Sequence, residues 1–364
     1  MHYGRSTVHN TQLALTQLST TPLFLGGGET TNVGIIVQLT NIKDCIARGF
    51  CQEHETPIEV AARQLIKDGI SVLHTIGGDD TNTQAAQLSK YILKHHLGGK
   101  IVVIGMPKTI DNDIYPIVQS FGAQTAADQG ALFFDNVVSE STSNPKMLIL
   151  HECIGRDSGY LTSRTAKSYR DLLAKHRFVK GGFTTSAASR DIHAIVIPEL
   201  HFDLDKHSAR LKTIMDQHGT LNVFFGEGTG VEEVIETMEA NGEHVPRDAF
   251  GHEALAKINP GQYFATRLAI LVGAEKTLVQ NSGYFARSAA ANDFDRELIG
   301  ACAKQGVEEA LAGVSGCMGQ DEDMEGTPIR AIEFERIKGG KPFDIRVEWF
   351  QTMLKEIGQD CGQV

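Results

Sequence analysis

Residues 72–113, VLHTIGGDDTNTQAAQLSKYILKHHLGGKIVVIGMPKTIDND, contain the pattern that most clearly predicts the fold. It opens with a short apolar run at 72–76 that ends in two glycines, and a second apolar run follows at 101–104. A helical segment at about 81–97 lies between them, and another Gly-Gly pair ends it. A strand, a helix and a strand at this spacing predict a βαβ unit, in which the two strands are parallel.

The same alternation continues along the chain. Further strands are predicted at Met147–His151, Ala194–Ile197 and Asn222–Phe225, and further helices near 57–68, 160–175, 203–217, 231–240, 261–272 and 293–312. The sequence therefore predicts an α/β architecture throughout, and 364 residues favour about two domains.

Composition excludes several classes of protein. With 34 Lys and Arg against 45 Asp and Glu, the net charge is −11, which excludes a generally basic nucleic-acid binder. Apolar runs long enough to cross a bilayer are absent from the sequence. The six cysteines contain no C-x-x-C pair and no zinc-finger spacing, so we expect reduced thiols in a cytosolic protein.

The first candidate site is the loop Gly77-Gly78-Asp79-Asp80-Thr81-Asn82, at the carboxyl end of a predicted strand. Paired glycines let a backbone approach a phosphate, and the following helix offers its positive N-terminal end. Two adjacent carboxylates would repel a phosphate, unless at least one of them binds Mg²⁺. The alternative interpretation is a solvated turn that caps the helix.

The second candidate site, residues 107–113, reads Pro-Lys-Thr-Ile-Asp-Asn-Asp and follows the next strand. Lys108 can neutralise a phosphate, Thr109 can donate a hydrogen bond, and Asp111 or Asp113 could accept a proton from an attacking hydroxyl. Phosphoryl transfer requires mainly charge neutralisation and positioning, and this loop supplies groups of both kinds. A solvated Lys- and Asp-rich turn is the alternative.

Polar groups also follow later strands. Arg156 suits a phosphate or sugar oxygen and Glu227 suits sugar hydroxyls, although either could equally be a surface residue. Tyr284 and Arg287 place a hydroxyl and a guanidinium three residues apart, which is a plausible clamp for a phosphate monoester.

Taken together, these motifs resemble those of the phosphofructokinases, specifically the pyrophosphate-dependent 6-phosphofructokinases of bacteria. The likeness runs from about residue 39 to the end, and the motifs keep the order of the family. They are GGDDTN at 77–82, PKTIDND at 107–113, HECIGR at 151–156, GEG at 226–228, DAFGH at 248–252 and SGYFARS at 282–288.

The residues at positions 80 and 108 indicate which phosphoryl donor is used. ATP-dependent members of the family carry glycine at the positions of Asp80 and Lys108. A carboxylate at Asp80 should repel the α-phosphate of a nucleotide, whereas Lys108 compensates the charge of a compact diphosphate. The resemblance therefore implies pyrophosphate as the donor, and the charges agree with it.

The resemblance also implies a reaction and roles for residues. The implied reaction is reversible transfer of a phosphoryl group from pyrophosphate to the 1-hydroxyl of fructose 6-phosphate. Asp111 resembles the general base, Asp113 would assist it, and Asp79 resembles the Mg²⁺ ligand. The remaining implied roles are catalysis by Lys108 and Thr109, donor binding by Gly77, Gly78, Asp80, Thr81 and Lys108, and sugar-phosphate binding by Arg156, Glu227, Tyr284, Arg287 and Lys276.

The family fold further implies two similar three-layer α/β domains with mainly parallel sheets. We expect residues 1–140 with about 285–330 to bind the donor, and residues 141–284 with 331–364 to bind the sugar phosphate. A cytoplasmic homodimer or homotetramer is the implied assembly, with no nucleic-acid or membrane partner.

The beginning of the chain departs from the family pattern. The family's first strand and Gly-Gly loop have no counterpart, and the segment Gly26–Ile36 lacks the arginine usual there. We therefore expect a chain without the first strand-helix unit and with impaired activity. The alternatives are an ATP-dependent 6-phosphofructokinase, a non-catalytic partner subunit of the same fold, and a distantly related nucleotide or lipid kinase.

Overall fold

A computed structural model describes residues 42–47, 49, 51–95, 101–141, 144–178, 186–246 and 255–360. The predictions for Gly26–Ile36, for the missing first strand-helix unit and for DAFGH at 248–252 lie outside these residues. The strands are β1 (Val72–Gly77), β2 (Val102–Pro107), β3 (Met147–Cys153), β4 (Ala194–Val196), β5 (Thr220–Gly226), β6 (Lys276–Asn281), β7 (Gly316–Gln320) and β8 (Ile329–Ile332).

The helices are α1 (Ile42–Ala47), α2 (Pro57–Lys67), α3 (Asp79–Lys94), α4 (Ala123–Ser141), α5 (Tyr160–Leu173), α6 (Ala187–Arg190), α7 (Leu204–His218), α8 (Val231–Ala240), α9 (Leu255–Ile258), α10 (Pro260–Val272), α11 (Gly283–Arg287), α12 (Asp293–Leu311) and α13 (Glu348–Glu356), with a 3-10 turn at Phe334–Arg336. In the part of the chain that is described, no helix is long and apolar enough to span a membrane.

The chain divides into two compact units. The first comprises Met1–Gly122 and Ala290–Lys341, and the second comprises Ala123–Ala289 and Pro342–Val364. Each unit contains a four-stranded sheet, in the order β1-β2-β7-β8 in the first unit and β4-β5-β3-β6 in the second. All pairings are parallel except that of β7 with β8.

Both sheets carry helices on their two faces. In the first unit, Leu73 and Val103 pack against α2 and α3, while Ile104 packs against α12. In the second unit, Ile149 faces the core formed with α4, α5 and α13, while Leu148 faces α7 and α10. Because both faces are covered, β2, β3 and β5 are buried along their whole length. The predicted fold of three-layer α/β domains is confirmed.

The unit boundaries differ from the predicted domain boundaries for a physical reason. Helix α4 was expected to belong to the first domain up to residue 140, but its Phe134 is buried in the core of the second unit. The second half of β8, from Ala331, and Phe334 were expected in the second domain, but they pack in the first unit, where β8 pairs with β7. The first unit therefore extends to Lys341, and residues 285–289 belong to the second.

Candidate active site

In the first unit, a hydrogen-bonded pair of loops forms the edge where β1 and β2 end. Lys108, which follows β2, donates its backbone N–H to the carbonyl of Gly77, the last residue of β1, at 2.7 Å. A Cβ on Gly78 would lie 3.8 Å from the Cβ of Thr109. The structure therefore brings the two predicted loops together, as expected for the carboxyl ends of parallel strands.

The GGDDTN loop is held by its last two residues. The Asn82 amide donates to the carbonyls of Gly77 and Gly78 at 2.9 and 2.8 Å, and its oxygen accepts from the Cys317 thiol. Thr81, predicted to bind the donor, is buried, and a Cβ on Gly77 would lie 2.2 Å from its hydroxyl oxygen. Asn82 is thus a structural residue that the sequence did not single out.

Asp79 and Asp80 lie in the first turn of α3, two residues before the predicted start of this helix. Gly78 is the N-cap and contributes no side chain, so the carboxylates themselves meet the positive end of the helix dipole. Asp79 is half-buried and accepts no hydrogen bond from any described residue. This carboxylate is therefore available to a ligand.

Asp111 and Asp113 alternate with buried residues in the PKTIDND loop. Ile110, Asn112 and Ile114 are buried, whereas the two aspartates between them are half-buried. Asn112 adopts a left-handed backbone with φ of 53°. Its amide oxygen accepts from Ser120 at 2.7 and 3.0 Å, from the backbone N–H and the hydroxyl, which fixes the loop between the two aspartates.

Asp79 fits a hard cation such as Mg²⁺. Carboxylate oxygens are preferred ligands of Mg²⁺, which commonly combines one or two carboxylates with phosphate oxygens and water. Among the described residues no three His, Cys, Asp or Glu side chains converge to hold a metal ion. A Mg²⁺ site built on Asp79 would leave most coordination positions to phosphate oxygens and water.

A loop from the end of the first unit also reaches this edge, and the sequence reasoning missed it. Lys338 exchanges backbone hydrogen bonds with Tyr115, and Lys341 donates its backbone N–H to the Asp113 carbonyl at 2.8 Å. A Cβ on Gly339 would lie 2.5 Å from a carboxylate oxygen of Asp79. The signal that could have found it is a Gly-Gly pair flanked by lysines, KGGK at 338–341.

In the second unit, Arg156 and Glu227 lie together after β3 and β5. One carboxylate oxygen of Glu227 accepts the backbone N–H groups of Gly155 and Arg156 at 2.9 and 3.0 Å. Gly228 passes so close that a Cβ there would meet the Arg156 carbonyl. Burial raises the pKa of Glu227, and the neighbouring Glu152 raises it further. The Arg156 side chain is exposed.

Glu152 connects this edge to the loop that carries the predicted phosphate clamp. Its carboxylate accepts from the Gly261 backbone N–H at 3.1 Å and from the Asn281 amide at 3.5 Å. The Asn281 oxygen in turn accepts the backbone N–H of Gly283, the first residue of α11, at 2.6 Å. Burial raises the pKa of Glu152, which packs so tightly that Gly261 has no room for a Cβ.

His151 supports the same loop from inside the core. It is fully buried among Phe133, Phe134 and Phe224, and its Nε2 lies 2.9 Å from the Ser282 hydroxyl. Burial lowers the pKa of His151 to about 3, so the ring is neutral at physiological pH. Ser282 immediately precedes α11, whose Tyr284 and Arg287 side chains are exposed.

The structure does not bring Lys276 to this edge. It is the first residue of β6, and its ammonium group contacts Asn144 at 2.6 Å. Tyr284 and Arg287 follow the carboxyl end of the same strand, so the length of β6 separates them from Lys276. Its predicted place beside the clamp is therefore wrong, because the sequence reasoning did not detect β6.

These units have the doubly wound architecture that binds ligands at the carboxyl ends of parallel strands. The model of the family described as Phosphofructokinase matches residues 40–309, and the chain belongs to this family. The predicted family membership is thereby confirmed.

Relatives of known name point to one kind of phosphofructokinase. The chain is 52% identical over 327 residues to a pyrophosphate--fructose 6-phosphate 1-phosphotransferase of Methylomonas methanica, covering 90% of this chain and 79% of the relative. It is 50% identical over 326 residues to a protein of the same name from Mastigamoeba balamuthi, covering 90% of this chain and 78% of that protein.

A solved structure supports the fold. The crystal structure of a pyrophosphate-dependent phosphofructokinase from Marinobacter aquaeolei matches with a TM-score of 0.58 and 19% identity, over 84% of this chain and 72% of that one. At this identity the likeness bears on the fold alone, and it agrees with the predicted phosphofructokinase fold.

Proposed function

We propose that the protein transfers a phosphoryl group from pyrophosphate to the 1-hydroxyl of fructose 6-phosphate, reversibly, giving fructose 1,6-bisphosphate and phosphate. The observation that carries the proposal is the hydrogen-bonded pair of loops in the first unit, with Asp79 and Asp80 on one loop and Lys108 on the other. The names of relatives at 50% identity or more support the same donor and acceptor.

In this mechanism Asp111 accepts the proton of the 1-hydroxyl as its oxygen forms a bond to phosphorus. The bond from that phosphorus to the bridging oxygen breaks, and phosphate leaves. Lys108 neutralises charge on the donor, Thr109 orients it, and Asp113 assists Asp111. Mg²⁺ bound at Asp79 would neutralise negative charge on the phosphate oxygens.

We assign donor binding to the first unit and sugar-phosphate binding to the second. Gly77, Gly78, Asp80 and Thr81 form the donor loop, in which Thr81 acts through packing. In the second unit, Arg156, Tyr284 and Arg287 offer exposed cationic and hydroxyl groups for a phosphate, and Glu227 offers its carboxylate for sugar hydroxyls. Lys276 has no part in this assignment.

The donor assignment rests on charge. Asp80 stands in the first turn of α3 next to Asp79, where a longer nucleotide donor would meet a second carboxylate. Lys108 balances that carboxylate for a compact diphosphate. A cytoplasmic homodimer or homotetramer completes the proposal. The free, buried thiols of Cys51, Cys153 and Cys302 suit a reducing compartment.

A coupled assay with purified protein, fructose 6-phosphate, Mg²⁺ and pyrophosphate tests the proposal. We expect turnover in the wild type and a loss of about a thousandfold or more in Asp111→Asn, because the general base is removed. The control is Asp205→Asn, a substitution of an exposed aspartate on α7 of the second unit. Equal rates in wild type and Asp111→Asn would reject Asp111 as the general base. No turnover by the wild type would reject the proposed reaction.

A further inference from the structure

The loop at 338–341, Lys-Gly-Gly-Lys, approaches residues of both candidate loops in the first unit. Its first residue pairs with Tyr115, two residues after Asp113, and its last donates to the Asp113 carbonyl. Its second residue contacts Asp79. One short segment, more than 200 residues away in the sequence, therefore touches both loops of the candidate active site.

Gly339 is required for space rather than for its backbone angle. A Cβ there would lie 2.5 Å from Asp79 Oδ2 and 2.8 Å from Asp79 Cβ. The carboxylate could rotate away from an added methyl group, but the Cβ of Asp79 is fixed to the backbone of α3. Any larger residue would therefore displace the carboxylate, the loop or both.

Gly340 has the complementary role. Its φ of +72° lies in the left-handed region, and a Cβ there would meet nothing within 4 Å. The second glycine therefore turns the chain, whereas the first allows the close approach to Asp79. Together they carry an exposed backbone past the Asp79 carboxylate. Successive backbone N–H groups in such turns form anion-binding concavities, so the loop suits a phosphate that a cation at Asp79 would bridge.

The two lysines of the loop differ in their surroundings. The Lys341 ammonium group is held by the Ile117 carbonyl and by Glu322, so it is structural. Lys338 is exposed, and its ammonium group contacts no carboxylate among the described residues. Its backbone is nevertheless fixed by the pairing with Tyr115. A fixed backbone with an available cation suits an anionic ligand.

We propose that the Lys338–Lys341 loop is part of the donor site, with Gly339 keeping the Asp79 carboxylate in place for the cation and Lys338 contacting the diphosphate. The inference rests on the proposed function and adds two residues to the donor site. It assigns no further step in the reaction, since both residues bind and position only.

Two variants test the loop independently. Gly339→Ala adds one methyl group against Asp79, and Lys338→Met removes a charge without altering the backbone. The matched controls lie on α12 in the same unit: Gly300→Ala, where an added Cβ meets nothing within 4 Å, and Lys304→Met, another exposed lysine. Isothermal titration of the full chain with magnesium pyrophosphate measures binding without turnover, and a separate titration with fructose 6-phosphate measures the other substrate.

We expect Gly339→Ala and Lys338→Met each to weaken magnesium pyrophosphate binding about tenfold, the usual effect of losing a charge-assisted contact. Fructose 6-phosphate affinity and both controls should stay within about twofold of the wild type. If both loop variants bind magnesium pyrophosphate like the controls, the inference is overturned while the proposed function stands. If the wild type itself binds no magnesium pyrophosphate, the proposed donor and the loop's role are rejected together.

Discussion

The buried His151 should make the second unit sensitive to acid. In the folded protein its pKa is lowered to about 3 by burial among three phenylalanines, whereas an unfolded histidine titrates near 6.5. Below pH 6.5 the unfolded chain therefore binds a proton that the folded chain does not. The free energy of unfolding should fall by about 1.4 kcal/mol for each pH unit between about 6 and 4 on account of this residue.

The assay is urea unfolding at a series of pH values, followed by tryptophan fluorescence. Trp349 is the single tryptophan of the chain and packs against Phe343 and Phe350 in the second unit, so it reports on the unit that contains His151. Between pH 6 and 4, the free energy of unfolding of His151→Gln should fall less steeply than that of the wild type, by about 1.4 kcal/mol per pH unit.

The test compares how steeply the free energy of unfolding changes with pH in each protein. It is therefore independent of the absolute stability of the variant. The pKa of His193 is also lowered by burial, to about 4, but it contributes equally to both proteins and cancels. The exposed His201, changed to Gln, is the matched control and should keep the wild-type slope. An unchanged slope in His151→Gln would show that His151 is not buried in its neutral form.

Three further predictions concern the loops. Asn82→Ala should lower the free energy of unfolding of the first unit by about 2–3 kcal/mol, since the three hydrogen bonds of the buried Asn82 side chain are lost. Urea denaturation measured by circular dichroism checks this, and an unchanged midpoint would contradict it. Asp80→Gly combined with Lys108→Gly should raise the ratio of ATP to pyrophosphate turnover at least about tenfold in the coupled assay, and a constant ratio would reject the charge argument. Ser282→Ala removes the hydrogen-bond partner of His151 just before α11. It should raise the KM for fructose 6-phosphate severalfold while the KM for pyrophosphate stays constant. Equal changes in both KM values would contradict a role in sugar-phosphate binding.

Sequence reasoning predicted the parts of the fold that have strong local signals. Strands β1 and β2 are apolar runs bounded by glycine, and the capping box at Thr56 and Glu59 marks the start of α2, where the Thr56 hydroxyl accepts the Glu59 N–H. Strand β7 was not predicted because it reads Gly-Cys-Met-Gly-Gln. It is buried where Gly316 approaches the carbonyl of Ile332, a contact that only the tertiary structure reveals.

In the candidate site, too, the residues with a local sequence signal could be predicted, whereas contacts between distant parts of the chain could not. The residues of the GGDDTN and PKTIDND loops could be predicted because each follows a recognisable strand. The position of Lys276 could not be predicted because β6, which it begins, has exposed and half-exposed residues without alternation. The sequence therefore did not indicate that a strand separates Lys276 from the clamp residues. The contact of Gly339 with Asp79 joins residues 260 positions apart, and no local pattern encodes such a pairing.

A competition between donors, followed by phosphorus NMR, tests whether pyrophosphate is the phosphoryl donor. The purified chain is incubated with fructose 6-phosphate and Mg²⁺ in the presence of equal concentrations of pyrophosphate and ATP. We expect the pyrophosphate signal to decay while fructose 1,6-bisphosphate and phosphate appear and ATP persists. Loss of the ATP signals with appearance of ADP, while pyrophosphate persists, would show that ATP is the donor instead.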